Sequence, residues 1–578
     1  MTSQASIRSY LNQAYLLGLM MLAVGLTLSP YLMGMSQFWL VIVWLLDACV
    51  SIRHYGLAPS LRAETRNLQN KEGGSSGGEG GLQSAMSSEG FKQKLLRFWH
   101  NKVAVLLVAF YLMHVVGLLY TTDFTYAMKD LRVKLPLLVL PFVMSSMEPL
   151  DRKRFDLLLN VYVLSVFVAT LFSFTRYVRH DYEDIREISR FISHIRFCLH
   201  IVFCIAIIGY YIIRKVAGYR RSSEGPTPAS RRNHILDTIL MCILLLWFVY
   251  QIYIFESLSG YVILAGVILV SVIYVFLQGH PGRGWRIAVA AVVLALVTAS
   301  AVVLWRAVRP LVEVETVDFS TLDQKTALGN DYWHDTIYNP VEDGKYVGLY
   351  YCRKELQEAW PLRSTMDFEG TALNGENLEA TLARYLTSKG LRKDAQGVEA
   401  LTDEDVYFIE LGEANYNNRK HPGLRARLSV TLFEYNMYRR FNNPNGGSLS
   451  QRIEFTRASF HIIRQHPWFG VGTGDVPQAF SQAYDEIHSP LREEFRFRAH
   501  NQYLAIAVAF GLMGLAFFIV VLFYPYASSR RRRTYLYTVF LFIMLLSMFP
   551  EDTLETQAGA TLFAFFESLL LLTDPQEC

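Results

Sequence analysis

The chain has 578 residues, of which 52% are hydrophobic, 14% aromatic and 18% charged. This is too apolar for an ordinary soluble enzyme and too charged for a purely embedded bundle, so both kinds of region are expected. A formal net charge of +4, with cations gathered in short loops, is not a nucleic-acid footprint; six cysteines without CxxC spacing offer neither a disulfide framework nor a thiolate metal site.

In chain order, the apolar runs Tyr15–Met33 and Phe38–Ile52 read as a retained hairpin, because no small-residue cleavage site follows the first. A Gly/Ser-rich linker at about 70–90 cannot bury a core. Lys92, Lys94, Arg97 and Lys102 then mark a cytoplasmic loop before a third span, Val103–Tyr120. The stretch TTDFTYAMKDLRVKLPLLVLPF carries a fourth span in its second half, and a fifth covers roughly Leu157–Phe174. The charged loop after it enters the sixth span through Arg190, His194 and Arg196. An arginine at the first turn of a membrane helix either snorkels to the headgroups or binds an anion, and sequence leaves both open here. Spans at Ile235–Phe255, Tyr261–Gln278 and Ile287–Trp305 follow, separated by basic inner loops. With later spans at Tyr503–Tyr526, Tyr535–Phe549 and Ala560–Leu572, the expectation is an all-α polytopic membrane protein of about twelve transmembrane helices, both ends inside.

A polar segment, 306–499, separates spans nine and ten. By span parity it lies outside the membrane's inner face and reads as a compact, mostly helical extracytoplasmic domain between bundle segments 1–305 and 500–578. Turn signals occur at Asn339–Pro340, Asp343–Gly344 and Asn445–Gly446, and Leu378, Leu382, Tyr385 and Leu386 define one face of a helix over Asn377–Lys389. Acidic residues around Asp403–Asp405 read as a solvated face. Arg452 opens a helix running toward His466–Pro467, and Gly470, Gly472 and Gly474 then form a GxGxG turn. Without a βαβ context this turn is a tight backbone crossing rather than a nucleotide cradle.

Arg496, Arg498 and His500 stand at the mouth of the tenth span, whose inner end meets the SSRRRRT loop. A titratable imidazole beside arginines, where a membrane helix begins at the outer face, suits a site that handles an anionic substrate and a proton. The two cations would disfavour a positive ring. A simpler role for His500 is capping of the helix end.

HPWFGVGTGD, then HNQYL, an arginine on the preceding helix, a large outer segment and about twelve spans together resemble the O-antigen ligase and O-antigen polymerase family. DLRVKLPLLVLPF, FISHIRFCLHI and EDTLETQAG add to the likeness. The resemblance implies an all-helical C-type membrane glycosyltransferase that moves a glycan from a polyprenyl diphosphate carrier to an acceptor hydroxyl, lipid A-core in the ligases. It implies no metal, nucleotide or other cofactor, and a bacterial inner-membrane location with the site facing the periplasm. Membrane lipid, donor and acceptor are the expected partners, and nucleic acid is not. Carried across, the general-base histidine falls on His500 and the diphosphate-binding arginines on Arg452 and Arg196, with Arg190 competing for the latter place. The family's arginine near the start of the eighth span has no counterpart in ESLSGYV, where Glu256 and Ser259 are the only polar substitutes considered.

The chemistry is consistent with that expectation. Leaving diphosphate needs cations, which arginine supplies bidentately, and the attacking hydroxyl needs a base. Polymerisation of repeat units and transfer to protein hydroxyls use the same constellation. A lipid-linked glycan transporter is the alternative from another class, but it would place ionisable residues near midmembrane and show two similar halves, neither of which is visible.

Overall fold

The computed structural model describes residues 2–55, 91–179, 185–221, 228–278, 283–337, 340–420, 423–445, 447–529 and 533–572. The Gly/Ser linker, Asn339, Gly446 and most of the tetra-arginine loop lie outside the described residues. The protein is an all-α, multi-pass membrane protein. Among the described residues seven helices are long and apolar enough to cross a bilayer: Ile7–Leu28, Pro30–Cys49, Lys102–Tyr120, Arg152–Arg179, His194–Lys215, Ile235–Ile254 and Gln502–Ser528. Shorter apolar helices span Leu258–Tyr274, Tyr535–Ser547 and Gln557–Leu572.

Two boundaries differ from expectation. The first helix stops at Leu28 rather than Met33, because Pro30 starts the second helix and the Ser29 hydroxyl accepts from the Leu32 amide at 3.2 Å. The stretch in whose second half a fourth span is expected forms two helices of 11 residues each, Phe124–Lys134 and Pro136–Ser146, divided at Pro136. Only the second is apolar throughout. The first brings Asp130 and Lys134 into the protein interior, where both are buried.

Tyr162, Phe197, Phe203, Phe518, Phe540, Phe563 and Phe566 belong to one continuous buried cluster. Tyr162 and Phe203 each meet the Phe566 ring with centroids 4.8 Å apart. Lipid tails are as apolar as these side chains, so close packing and aromatic geometry rather than exclusion from water hold such helices together.

The polar segment has a core of its own, built on Leu356, Trp360, Leu378, Leu382, Leu386, Val398 and Ile409. The expected amphipathic helix is Leu378–Lys389: the Asn377 side chain caps it by accepting from Ala380 N, and Gly390 ends it at φ 82°. Asp405 departs from the solvated-face expectation. It is buried, closes a capping box with Thr402, and takes bonds from Tyr385 and Lys389, while Asp403 stays exposed. Downstream, Phe455, Ala458, Ile462, Phe480 and Tyr484 pack into the cluster of the bundle instead. The helix bearing Arg452 begins earlier than expected and runs Ser448–Gln465.

The Gln502–Ser528 helix is broken at Gly511, whose φ of 66° and ψ of −168° interrupt the backbone ladder. The loop 467–472 repairs the break. Val471 and Gly472 amides donate to Val508 and Ala509 carbonyls, and Leu512 N donates to Pro467 O at 2.8 Å. Irregular backbone is tolerated at such depth because protein groups satisfy it.

Candidate active site

His500 stands two residues before this broken helix, with a left-handed φ of 44°. Asn501, not His500, is the cap: its side chain accepts from Leu504 N at 3.0 Å. The imidazole is therefore released from duty at the helix end. Its ring packs against Phe455 at 5.5 Å and Phe497 at 6.2 Å, and Nδ1 is buried without a hydrogen-bond partner.

Facing it is the acidic turn between the last two helices. Asp552 Oδ1 lies 3.8 Å from His500 Nδ1, and Glu551 takes an ion pair from Arg452 at 3.1 Å. Gln502 locks the turn, its Oε1 accepting from Leu554 N at 2.6 Å and its Nε2 donating to Glu555 at 3.2 Å. Asn501 adds a bond to Phe549 O at 2.9 Å. Neighbouring residues thus cap the helix and fix the acids opposite the histidine.

A second group comes from the Phe124–Lys134 helix, and the glycine turn explains its position. A Cβ on Gly474 would stand 2.1 Å from Asp123 O, and one on Gly472 2.7 Å from Thr121 Oγ1, so only glycine allows this approach. Asp475 then accepts from the Thr122 and Asp123 amides. Asp123 caps the helix, which presents Tyr126, Asp130 and Lys134. Lys134 Nζ bonds Asp130 at 2.6 Å and Glu555 at 2.8 Å, and Arg498 bonds Tyr126 at 2.9 Å and Glu555 at 3.2 Å. Burial alone would raise Glu555, but Lys134 and Arg498 pull its carboxyl down to about 2. Burial pushes Glu551 and Asp552 the other way, above the usual carboxylate range, against the pull of Arg452 and Arg498 respectively.

A cleft of about 830 Å³ opens over this array, lined by Arg196, Arg496, Arg498, His500, Asp552 and Glu555 among others. Arg196 stands at the first turn of its helix with Nε buried and lacking a hydrogen-bond partner. Arg190 is exposed and does not line the cleft. Arg452 reaches the array from behind, through Glu551. Gly470, Gly472 and Gly474 do not line it either: the Gly470 and Gly472 amides donate to the His466 and Ala509 carbonyls and the Gly474 amide to the Thr121 hydroxyl, so the turn is a close crossing of the chain over two other segments. Glu256 accepts from Gly423 N at 2.7 Å and tethers the Leu424–Phe441 helix instead of serving the cleft.

The charge environment of His500 also differs from expectation. Arg496 is paired with Asp485 at 2.7 Å and Arg498 with Glu555 and Asp552, while the Asp552 carboxylate stands 3.8 Å from the ring. Sequence reasoning missed Lys134, Asp130 and the three acids as site residues. Their signal is present in DLRVKLPLLVLPF and EDTLETQAG, whose charged residues sit beside apolar runs. His500, Glu551 and Asp552 each bring a ligand atom within 4.8 Å of the others, the one grouping among the described residues able to hold a metal ion, although Glu551 is engaged by Arg452.

Residues 423–519 match the O-antigen ligase family. No curated protein matches the chain. The O-antigen ligase match contains the Arg452 helix, the glycine turn, His500 and the kink at Gly511. Arg196, Lys134 and the acidic turn lie outside the O-antigen ligase match, so three separate segments of the chain complete the array.

Proposed function

We propose that the protein is a membrane glycosyltransferase that transfers a glycan from a polyprenyl diphosphate carrier to an acceptor hydroxyl, in the manner of an O-antigen ligase acting on lipid A-core. The observation that carries this reading is the convergence of His500, backed by Asp552, with Arg196 and Arg498 in one cleft beside a membrane helix. The site faces the periplasm of the inner membrane in this reading.

His500 removes the proton of the acceptor hydroxyl as its oxygen bonds the anomeric carbon; the bond from that carbon to the diphosphate oxygen breaks, and lipid diphosphate leaves with the electron pair. With Nδ1 turned to Asp552, Nε2 is the nitrogen left for the acceptor, and the carboxylate stabilises the imidazolium that forms. Arg196, whose Nε lacks a partner, and Arg498 take up the developing phosphate charge. Arg452 acts through Glu551, either positioning the acidic turn or exchanging that partner for phosphate. The energy resides in the diphosphate linkage, so no separate fuel is required.

The test uses purified protein with a polyprenyl diphosphate-linked glycan and an acceptor. His500→Gln keeps polarity but cannot take a proton at working pH, and transfer is expected to fall by roughly 10²–10⁴-fold with carrier binding retained. Near-normal transfer by this variant sinks the mechanism. In a deletion strain, loss of polymer from lipid A-core with polymer kept on the carrier supports ligation; accumulation of single repeat units supports polymerisation instead.

A further inference from the structure

The polar domain carries a second open cavity, of about 540 Å³, which shares no lining residue with the cleft of His500. Its wall is aromatic at one end and polar at the other. Trp333 is 59% exposed, although it is fixed in place by two backbone bonds with Tyr351, at 2.8 and 3.1 Å. The two rings meet edge to face with centroids 6.2 Å apart, so the Tyr351 ring props the indole and leaves the tryptophan largely open to solvent. Around it stand Asn330, Asp331, Arg353 and Lys354.

These polar groups are pinned rather than loose. Arg353 is fixed by Glu379 at 3.0 Å and Glu369 at 2.9 Å, the Tyr351 hydroxyl donates to Glu379, and Asn330 bonds Glu355 at 2.8 Å while accepting from Lys354 at 3.2 Å. Asp331, paired with Lys325, has a side chain 82% exposed. A carboxylate so open beside the indole opposes seating in an anionic lipid surface. Flat aromatic surface next to fixed amide, carboxylate and guanidinium groups suits a ligand with one apolar face and a rim of hydroxyls. A pyranose ring is such a ligand: its C–H face is weakly positive and lies on the negative face of an indole, while its hydroxyls bond the rim. Fixed partners lower the ordering cost of binding.

We propose that this groove is a glycan-binding site in which Trp333 is the stacking platform, holding a saccharide away from the reacting centre. The choice of saccharide as ligand class rests in part on the transfer reading above. The site would retain a long chain between encounters and raise its local concentration at the cleft.

The test titrates full-length protein in nanodiscs with carrier-free polysaccharide, released by mild acid from cells carrying the gene, and follows heat of binding. Trp333→Ala is expected to weaken binding about tenfold or more, and Trp333→Phe to retain most of it. Because Trp333 is mostly exposed, unchanged thermal unfolding of Trp333→Ala is expected and is checked alongside. No polysaccharide binding by the parent, or parent-like binding by Trp333→Ala, overturns the proposal. Transfer by the parent with binding indifferent to Trp333 rejects the groove alone. Trp333-dependent binding without any transfer by the parent rejects the glycosyltransferase reading and leaves the groove standing.

Discussion

At the scale of single residues, the array is an almost neutral set of opposed charges: Lys134, Arg196, Arg452 and Arg498 against Asp130, Glu551, Asp552 and Glu555. Glu555 holds the most together, touching Lys134, Arg498 and Gln502 at once. Glu555→Gln keeps its shape and leaves the buried Lys134 and the partly buried Arg498 each short of one partner, which is expected to cost about 3–5 kcal/mol, read as a lower thermal midpoint in detergent. The pH dependence has a definite sign. Glu555 is depressed from an ordinary 4.5 to about 2, so its contribution is complete above about 4.5 and is lost as pH falls toward 2. Glu551 and Asp552 are raised and act oppositely, taking up protons more readily when folded. Glu555→Gln should therefore flatten the loss of stability below pH about 4.5, and an unchanged acid limb would assign that loss to other groups. The arginines separate by a different substitution. Lysine keeps the charge and the ability to snorkel but loses the planar fork. Arg196→Lys is expected to lower transfer about tenfold or more through lost charge-assisted bonds. Full activity of both Arg196→Lys and Arg452→Lys in kinetic assays would remove the anion-clamp role.

At the scale of elements, the glycine turn is a docking device. It joins the broken helix on one side and the turn at 121–123 on the other, and in that way sets His500 and Lys134 in one frame. A methyl on Gly470 would stand 2.4 Å from the Ala509 carbonyl carbon, at a φ of 67°. Gly470→Ala and Gly474→Ala are each expected to cost about 1–3 kcal/mol and to lower transfer without touching a charged group. Thermal unfolding and turnover measured together check this, and parent-like values for both variants would mean that the turn gives way easily. The sequence showed the glycines and their spacing. It could not show that backbone from two other segments fills the space a side chain would need.

At the scale of the whole molecule, the orientation we propose rests on the alternation of basic loops. Glu376→Cys, exposed on the polar domain, should react with an impermeant maleimide in intact spheroplasts after the native cysteines are replaced. Cysteines at Ser223 and Arg531, both outside the described residues, should react only after permeabilisation. Labelling of position 531 in intact spheroplasts would reverse the orientation and move the cleft to the other face.

Apolar runs long enough for a bilayer, the cap and face of the Leu378–Lys389 helix, and the pairing of a histidine with a membrane-helix start are local facts, and the sequence by itself determined them. Periodicity and capping depend on neighbours within a few residues, which a linear reading sees. Which arginine reaches the cleft, Arg196 and not Arg190, was decided only by tertiary structure. So were the burial of Asp405, the break at Gly511, and the meeting of Lys134 with Glu555 across 421 positions of chain. Charges so far apart in sequence leave no local periodicity or spacing. Their partnership exists only once packing excludes water and makes an unpaired charge costly.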